Sequence, residues 1–348
     1  MKAYVLHGIN DLRLEERKTP EAGPGQVLVQ VRAAGICGSD IPRIFQTGTY
    51  SFPMVPGHEF SGVAVETGPG ADKGWLGRPV GIFPLIPCGK CVSCRRMDYE
   101  LCRNYSYLGS RANGGFAEYV AVPQENLIAL PEGVSFEAAA MLEPMAVAVH
   151  AMRRARVKAG RTAVIYGLGT IGLLLAMFLK EAGMERVMAV GNKERQRQFA
   201  AMLGIAAEDF CDTRSRELGP WLLEKTDGIG ADIFFECIGK SDTIATAIDL
   251  AAPMGIVQMV GNPWGDVKLE RKVYWKILRN QLTIRGSWNS SFLHKESDDW
   301  HYALRLLTKG RIAPESFITH LFPFEELGQG LALMRDKSDE YGKVLIKM

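Results

Sequence analysis

Ala163-Val164-Ile165-Tyr166-Gly167-Leu168-Gly169-Thr170-Ile171-Gly172 runs a short apolar strand directly into a glycine-spaced loop. A helical run to Glu181 follows, and Arg186-Val187-Met188-Ala189-Val190 reads as a second strand. Strand, glycine loop, helix and strand make one βαβ unit. Glycines at this spacing are weak evidence alone; the strand before them and the helix after them make them a dinucleotide-binding signature. The chemistry needs Gly167 for the turn, Gly169 so that backbone can approach a pyrophosphate, and Gly172 for helix–strand packing. The first helical residues, Thr170 and Ile171, then offer amide donors and a partial positive charge to the phosphates. The alternative is a tight turn with no ligand.

The alternation continues outward. Residues 192–203 read as helix, 231–235 as strand, 242–251 as helix and 255–260 as strand, the texture of an α/β doubly wound parallel sheet. Before the βαβ unit the texture differs. Residues 2–122 carry short alternating runs, such as Val27-Leu28-Val29-Gln30-Val31, between turn residues, the pattern of a small antiparallel β domain. Residues 137–154 are Ala- and Met-rich and predict a helix broken at Glu143-Pro144. Lys343-Val344-Leu345-Ile346 predicts a closing strand.

At 348 residues the chain is expected to form two domains. Its 47% hydrophobic and 23% charged residues are those of a soluble globular protein, and a net charge of +2 gives no reason to expect a nucleic-acid partner. The longest apolar segment, residues 171–179, is too short to span a bilayer, so no membrane partner is expected. The N-terminal run lacks the apolar core of a signal peptide, and seven cysteines is an odd count, so a cytoplasmic protein is expected.

Four of those cysteines stand in one loop, Cys88-Gly-Lys-Cys91-Val-Ser-Cys94, closing at Cys102. Thiolates at this spacing can wrap one cation, and four complete a tetrahedral zinc shell with no open position. Such a closed site does no chemistry. Buried thiols or two disulfides are the alternative, disfavoured by the polar, turn-rich Pro87, Gly89, Lys90, Arg95 and Arg96.

The second strand of the βαβ unit leads into Val190-Gly191-Asn192-Lys193-Glu194-Arg195. Sites for NAD(H) usually put an acid at the strand end to bond the ribose. Gly191 replaces it, and Lys193 or Arg195 can meet a ribose phosphate, so NADP(H) is favoured over NAD(H). Gly191, Asn192, Lys193 and Arg195 are the expected cofactor contacts, with Glu194 facing away if the helix begins at Asn192. An ordinary solvated helix face is the alternative.

Gly35-Ile36-Cys37-Gly38-Ser39-Asp40, Gly57-His58-Glu59, the four clustered cysteines, Gly115-Phe116-Ala117-Glu118-Tyr119, Glu143-Pro144 and the glycine loop run in an order that resembles the zinc-dependent medium-chain dehydrogenase/reductase family over essentially the whole chain. The resemblance implies a GroES-like catalytic domain at 1–150 and 286–348, a Rossmann domain at 151–285, and a cleft between them for zinc, nicotinamide and substrate. It implies two zinc ions per chain. Cys37 and His58 would hold the catalytic one. Glu143, with no cysteine near it, would be the third ligand, as in the polyol (sorbitol) dehydrogenase branch. Glu59 is the alternate ligand in that family, and Ser39 stands where it places a relay hydroxyl. Asp40 is a weak candidate for orienting a ligand histidine, and Pro42 replaces an outer relay histidine. The family also implies a homodimer or homotetramer.

Residues 39–45, 108–119 and 276–289 are similar to dehydrogenases of that branch that oxidise galactitol 1-phosphate to its ketose phosphate. The expected reaction is hydride transfer between a polyol or polyol phosphate and a nicotinamide. A sugar phosphate needs a cationic anchor: Arg43 and Arg111 are candidates, and Lys295 a weaker one. Phe45 and Trp288 can line the cleft or pack the domains. The alternatives are a zinc dehydrogenase of another small secondary alcohol, such as threonine or a butanediol, and a non-catalytic nucleotide sensor on the same fold.

Overall fold

Ala163, Val164 and Ile165 are all fully buried, which a strand needs when both faces of its sheet are covered. The structure, a computed structural model, describes residues 1–158 and 161–348. It divides into two compact units, Met145–Asn289 and Met1–Pro144 with Ser290–Met348.

The unit Met145–Asn289 is built on a six-stranded, wholly parallel sheet. Its strands lie in the order Phe210–Asp212, Arg186–Gly191, Thr162–Tyr166, Ala231–Glu236, Ala251–Met259, Thr283–Gly286. The first strand of the unit is therefore central, and the order reverses beside it. In open α/β sheets ligands bind at the carboxyl ends of strands at such a switch point, and the glycine loop leaves the sheet there. Helix Thr170–Glu181 buries every residue from Gly172 to Leu179, so residues 171–179 are apolar because they form a core helix.

Three expected helices differ in detail. The helix at 192–203 is Glu194–Met202, with Lys193 extended at φ −133° as its N-cap. The Asn192 N–H is taken by the Gln196 side chain, which holds the chain out of the helix for two more residues. The helix at 242–251 is Ser241–Asp249, and Ala251 opens the next strand. The helix at 137–154 is two, Phe136–Ala140 and Leu142–Arg154. Its break comes before Glu143-Pro144. Pro144 sits in the first turn of the second helix, where a missing N–H costs no intrahelical bond.

The other unit carries a seven-stranded sheet in the order Ile318–Pro323, Lys343–Lys347, Gln26–Ile36, Glu59–Thr67, Pro79–Ile82, Leu127–Ala129, with Tyr119–Pro123 also paired to Gln26–Ile36. It is antiparallel except where Ile318–Pro323 runs parallel to Lys343–Lys347. The closing strand at 343–347 lies against the strand that leads into Cys37, with Val344 opposite Ile36. Val27, Val29, Val31 and Ile36 face one core with Phe60, Ala64 and Val344. Among the described residues no helix is long and apolar enough to cross a membrane.

Candidate metal and cofactor sites

The four-cysteine loop folds round a common centre. Its short helix, Val92–Arg95, is capped by Cys91, whose Sγ accepts the Cys94 N–H at 3.5 Å. Sulfur–sulfur separations are 3.5 Å for Cys91–Cys94, 3.9 Å for Cys88–Cys94 and 4.0 Å for Cys91–Cys102. Zinc–sulfur bonds of about 2.3 Å in a tetrahedron place sulfurs ~3.8 Å apart, so the donor set fits one zinc. All four thiols are free of disulfides. Backbone amides, that of Lys90 foremost, hold the Cys88 thiol below its usual range, and the Cys94 amide holds Cys91 down to about 6. Amides aimed at sulfur favour thiolate, the form that binds metal, at Cys88 and Cys91, whereas burial pushes the Cys94 thiol up to about 12.

The second cluster forms at the ends of paired strands. Gln26–Ile36 delivers Cys37, and Glu59–Thr67 begins just after His58. One donor atom each from Cys37, His58 and Glu59 lie within 4.8 Å of one another. His58 and Glu59 are buried, and Cys37 is partly exposed. Fully buried Asp40 organises this set: its Oδ2 accepts the Cys37 N–H at 2.9 Å, and its Oδ1 accepts from Arg43 at 2.8 Å. That Oδ1 stands 3.4 Å from His58 Nδ1, close enough for ionic attraction without a formed hydrogen bond. Burial pushes the Asp40 carboxyl up, yet His58, Arg43 and the Cys37 amide together hold it below its ordinary range. The Ser39 hydroxyl donates to Cys37 Sγ at 3.3 Å rather than to its own backbone.

Glu143 stands apart from the three-donor set. It is buried at the start of helix Leu142–Arg154 and accepts a hydrogen bond from the Tyr107 hydroxyl at 3.0 Å. The Tyr107 ring lies 5.8 Å from that of His58. Burial, chiefly, raises the Glu143 carboxyl to about 7. The structure thus assembles Cys37, His58 and Glu59, with Glu143 held nearby by Tyr107.

Sequence reasoning did not find Tyr107 or Lys343. Lys343 is 2% exposed; its ammonium donates to the Ile36 carbonyl at 3.0 Å and pairs with Glu59. The pair crosses over Gly35, where a Cβ would collide with both side chains. A lysine opening an otherwise apolar buried strand was a usable signal for Lys343, since lysine is almost never fully buried unless paired. Tyr107 carried none.

In the other unit the glycine loop has the required shape. Gly167 takes φ +104°, a region closed to most side chains. A Cβ at Gly172 would overlap the Gly167 carbonyl, whereas one at Gly169 would meet nothing within 4 Å. That open space, beside the N-terminus of helix Thr170–Glu181, fits a pyrophosphate. Gly191 ends its strand as expected, but its surroundings are filled: a Cβ there would stand 2.6 Å from Gln196 Oε1.

The four candidate substrate residues are placed differently. Arg43 is committed to Asp40 through one nitrogen. The Arg111 guanidinium lies between the Tyr50 and Tyr105 rings, 4.0 and 4.3 Å from their centroids, and donates to the Tyr105 carbonyl. Its Nε is buried with no hydrogen-bond partner among the described residues. Phe45 packs on the core of its unit under Arg335. Trp288, in the other unit, is 53% exposed. Lys295 is also exposed.

A doubly wound parallel sheet in one unit, with two cysteine-based donor clusters on a β-sheet unit, defines an oxidoreductase of the alcohol dehydrogenase class. The chain belongs to the zinc-dependent medium-chain dehydrogenase/reductase family, in its polyol dehydrogenase branch: residues 23–132 match the alcohol dehydrogenase GroES-like domain and residues 170–309 the zinc-binding dehydrogenase domain. It is 33% identical to galactitol 1-phosphate 5-dehydrogenase of Escherichia coli K12, over 99% of both chains. It is equally 33% identical to sorbitol dehydrogenase of Halalkalibacterium halodurans, again over 99% of each. The crystal structure of Escherichia coli galactitol-1-phosphate dehydrogenase superimposes with a TM-score of 0.92, covering 100% of both chains at 32% identity.

Proposed function

We propose that the chain oxidises a polyol or polyol phosphate, of the galactitol 1-phosphate kind, to the ketose, passing a hydride to a nicotinamide dinucleotide. The carrying observation is the Cys37–His58–Glu59 donor set, within 4.8 Å. The polyol substrate is supported by the similarity to galactitol 1-phosphate 5-dehydrogenase and sorbitol dehydrogenase. Cys37, His58 and one carboxylate, Glu59 or Glu143, would hold a catalytic zinc; the four-cysteine loop would hold a structural one.

A zinc held by Cys37, His58 and a carboxylate would supply Lewis acidity at its open position, and a bound nicotinamide would supply the hydride acceptor. The chain's own residues do the rest. Asp40 fixes the Cys37 backbone and attracts His58, so the donor set is oriented before anything binds. Lys343 balances the Glu59 charge. The Ser39 hydroxyl, at Cys37 Sγ, stands at the edge of the set and is the candidate to carry off the substrate proton. Arg111, with an unsatisfied Nε, is the better phosphate anchor; Arg43 is a positioning residue on Asp40. For the cofactor we favour NADP(H), because among the described residues the acid beside Gly191, Asp212, is already ion-paired to Arg214 and Arg197.

We read the protein as a homo-oligomer, a dimer or tetramer. Helix Arg271–Arg279 leaves Tyr274, Trp275 and Leu278 exposed, and edge strand Thr283–Gly286 leaves Ile284 exposed. Exposed apolar side chains and an open strand edge both favour being covered.

The test is a panel of free and phosphorylated polyols against NADP+ and NAD+. Turnover with a hexitol or pentitol, phosphorylated or free, is expected. Turnover only with threonine or butanediol would contradict the substrate class, and none at all with zinc bound would point to a sensor.

A further inference from the structure

We propose that Gln196 sets the nucleotide preference at the adenosine ribose, filling with a neutral amide the place where NAD sites hold a carboxylate. The inference rests on the reading of residues 162–191 as a dinucleotide-binding βαβ unit. Residue 191 ends the second strand, the position from which an acid reaches the ribose hydroxyls. Here it is glycine, yet the space is occupied. A Cβ at Gly191 would stand 2.6 Å from Gln196 Oε1 and 3.2 Å from Phe210 Cζ.

Gln196 lies in the first turn of helix Glu194–Met202. Its Oε1 accepts the Asn192 N–H at 2.9 Å, and its Nε2 donates to the Leu168 carbonyl at 3.0 Å. One side chain thus ties the end of the second strand to the glycine loop. The neighbouring acid does not take the missing one's place. Asp212 pairs with Gly191 across the sheet, but its carboxylate is bound by Arg214 at 2.6 Å and Arg197 at 3.4 Å. The amide nitrogen of glutamine has two hydrogens, and Leu168 uses one. A ribose phosphate reaching this spot meets an amide and ion-paired arginines, whereas a carboxylate would repel it. A ribose hydroxyl loses the charged acceptor that gives NAD(H) its advantage and finds only the neutral Gln196 Oε1 there.

The measurement is equilibrium binding of NADPH and NADH to the full-length protein, read by nicotinamide fluorescence without substrate. Thermal melts establish that each variant is folded. Gln196→Glu keeps the size and adds the charge. It should shift the NADPH-to-NADH affinity ratio at least tenfold toward NADH. Equal weakening of both cofactors, or none, overturns the proposal and leaves Gln196 a brace. Gly191→Asp alone should bind NADH weakly, because the new side chain meets Gln196; adding Gln196→Ser should recover NADH binding at least tenfold. If Gly191→Asp alone binds NADH as tightly as the double variant, the steric claim is overturned. A wild-type preference for NADH would defeat the NADP(H) reading while leaving both comparisons intact. Failure of wild type to bind either cofactor overturns the site altogether.

Discussion

Lys343 shows how far one side chain is committed. Burial alone would drive an ammonium toward its neutral form, yet Glu59 and Cys37 hold Lys343 above its ordinary range. Breaking a buried ion pair by removing one partner costs roughly 3–5 kcal/mol, because a charge is left behind uncompensated. Lys343→Met should therefore lower the melting temperature on the order of 10 °C. Lys343→Met with Glu59→Gln should recover part of that loss, and a double variant no more stable than the single would argue against the pairing. The lysine lies 307 residues from Ile36, whose carbonyl it binds. Spacing rules reach a few residues, so they found Cys88 to Cys102. Order along the chain, matched to a family, found Cys37 and His58. Neither gives the partner of Lys343, which is met by strand pairing 307 residues away, or that of Tyr107, whose hydroxyl reaches Glu143 36 residues on.

At the scale of elements, the four-cysteine loop is a unit that a cation should hold closed. Cys91→Ser should remove about one zinc per chain, by the four-thiolate requirement, and make residues 88–102 open to proteolysis while the sheet survives. Unchanged zinc content would contradict the structural site. A second element depends on pH. Asp298 caps helix Asp299–Thr308, accepting the His301 and Leu293 N–H groups at 2.8 Å each. Burial pushes its carboxyl up, but His301 and these amides outweigh burial and hold it below its ordinary value. A carboxyl depressed in the fold adds stability above its unfolded value of about 3.9, and that stability is lost as the pH falls through the folded value. The melting-temperature gap between wild type and Asp298→Asn should thus be constant near neutrality and shrink below about pH 4. A gap that holds at all pH values would mean the cap does not depend on charge. The sequence-level helix boundaries erred where side chains compete with backbone, at Asn192 and Gln196, or where proline fits a first turn, at Pro144.

For the whole molecule, the parallel sheet was legible because apolar strands and glycine turns repeat locally. The β unit was legible as texture and in its strand at 343–347, but not in the edge strand Ile318–Pro323, which pairs with it from a mixed stretch of sequence. The helix at Arg271–Arg279 went unread, yet its exposed Trp275 and Leu278 carry the assembly face proposed above. Trp275→Glu with Leu278→Lys should reduce the mass in solution, measured by light scattering, and an unchanged mass would place the interface elsewhere. The central claim is that Cys37, His58 and a carboxylate hold the metal that makes this chain a polyol dehydrogenase. Polyol-dependent nicotinamide reduction by wild type and Cys37→Ala, side by side, tests it most directly. Turnover by wild type and loss to background in a folded Cys37→Ala variant is the predicted result; a variant that keeps its activity would contradict it.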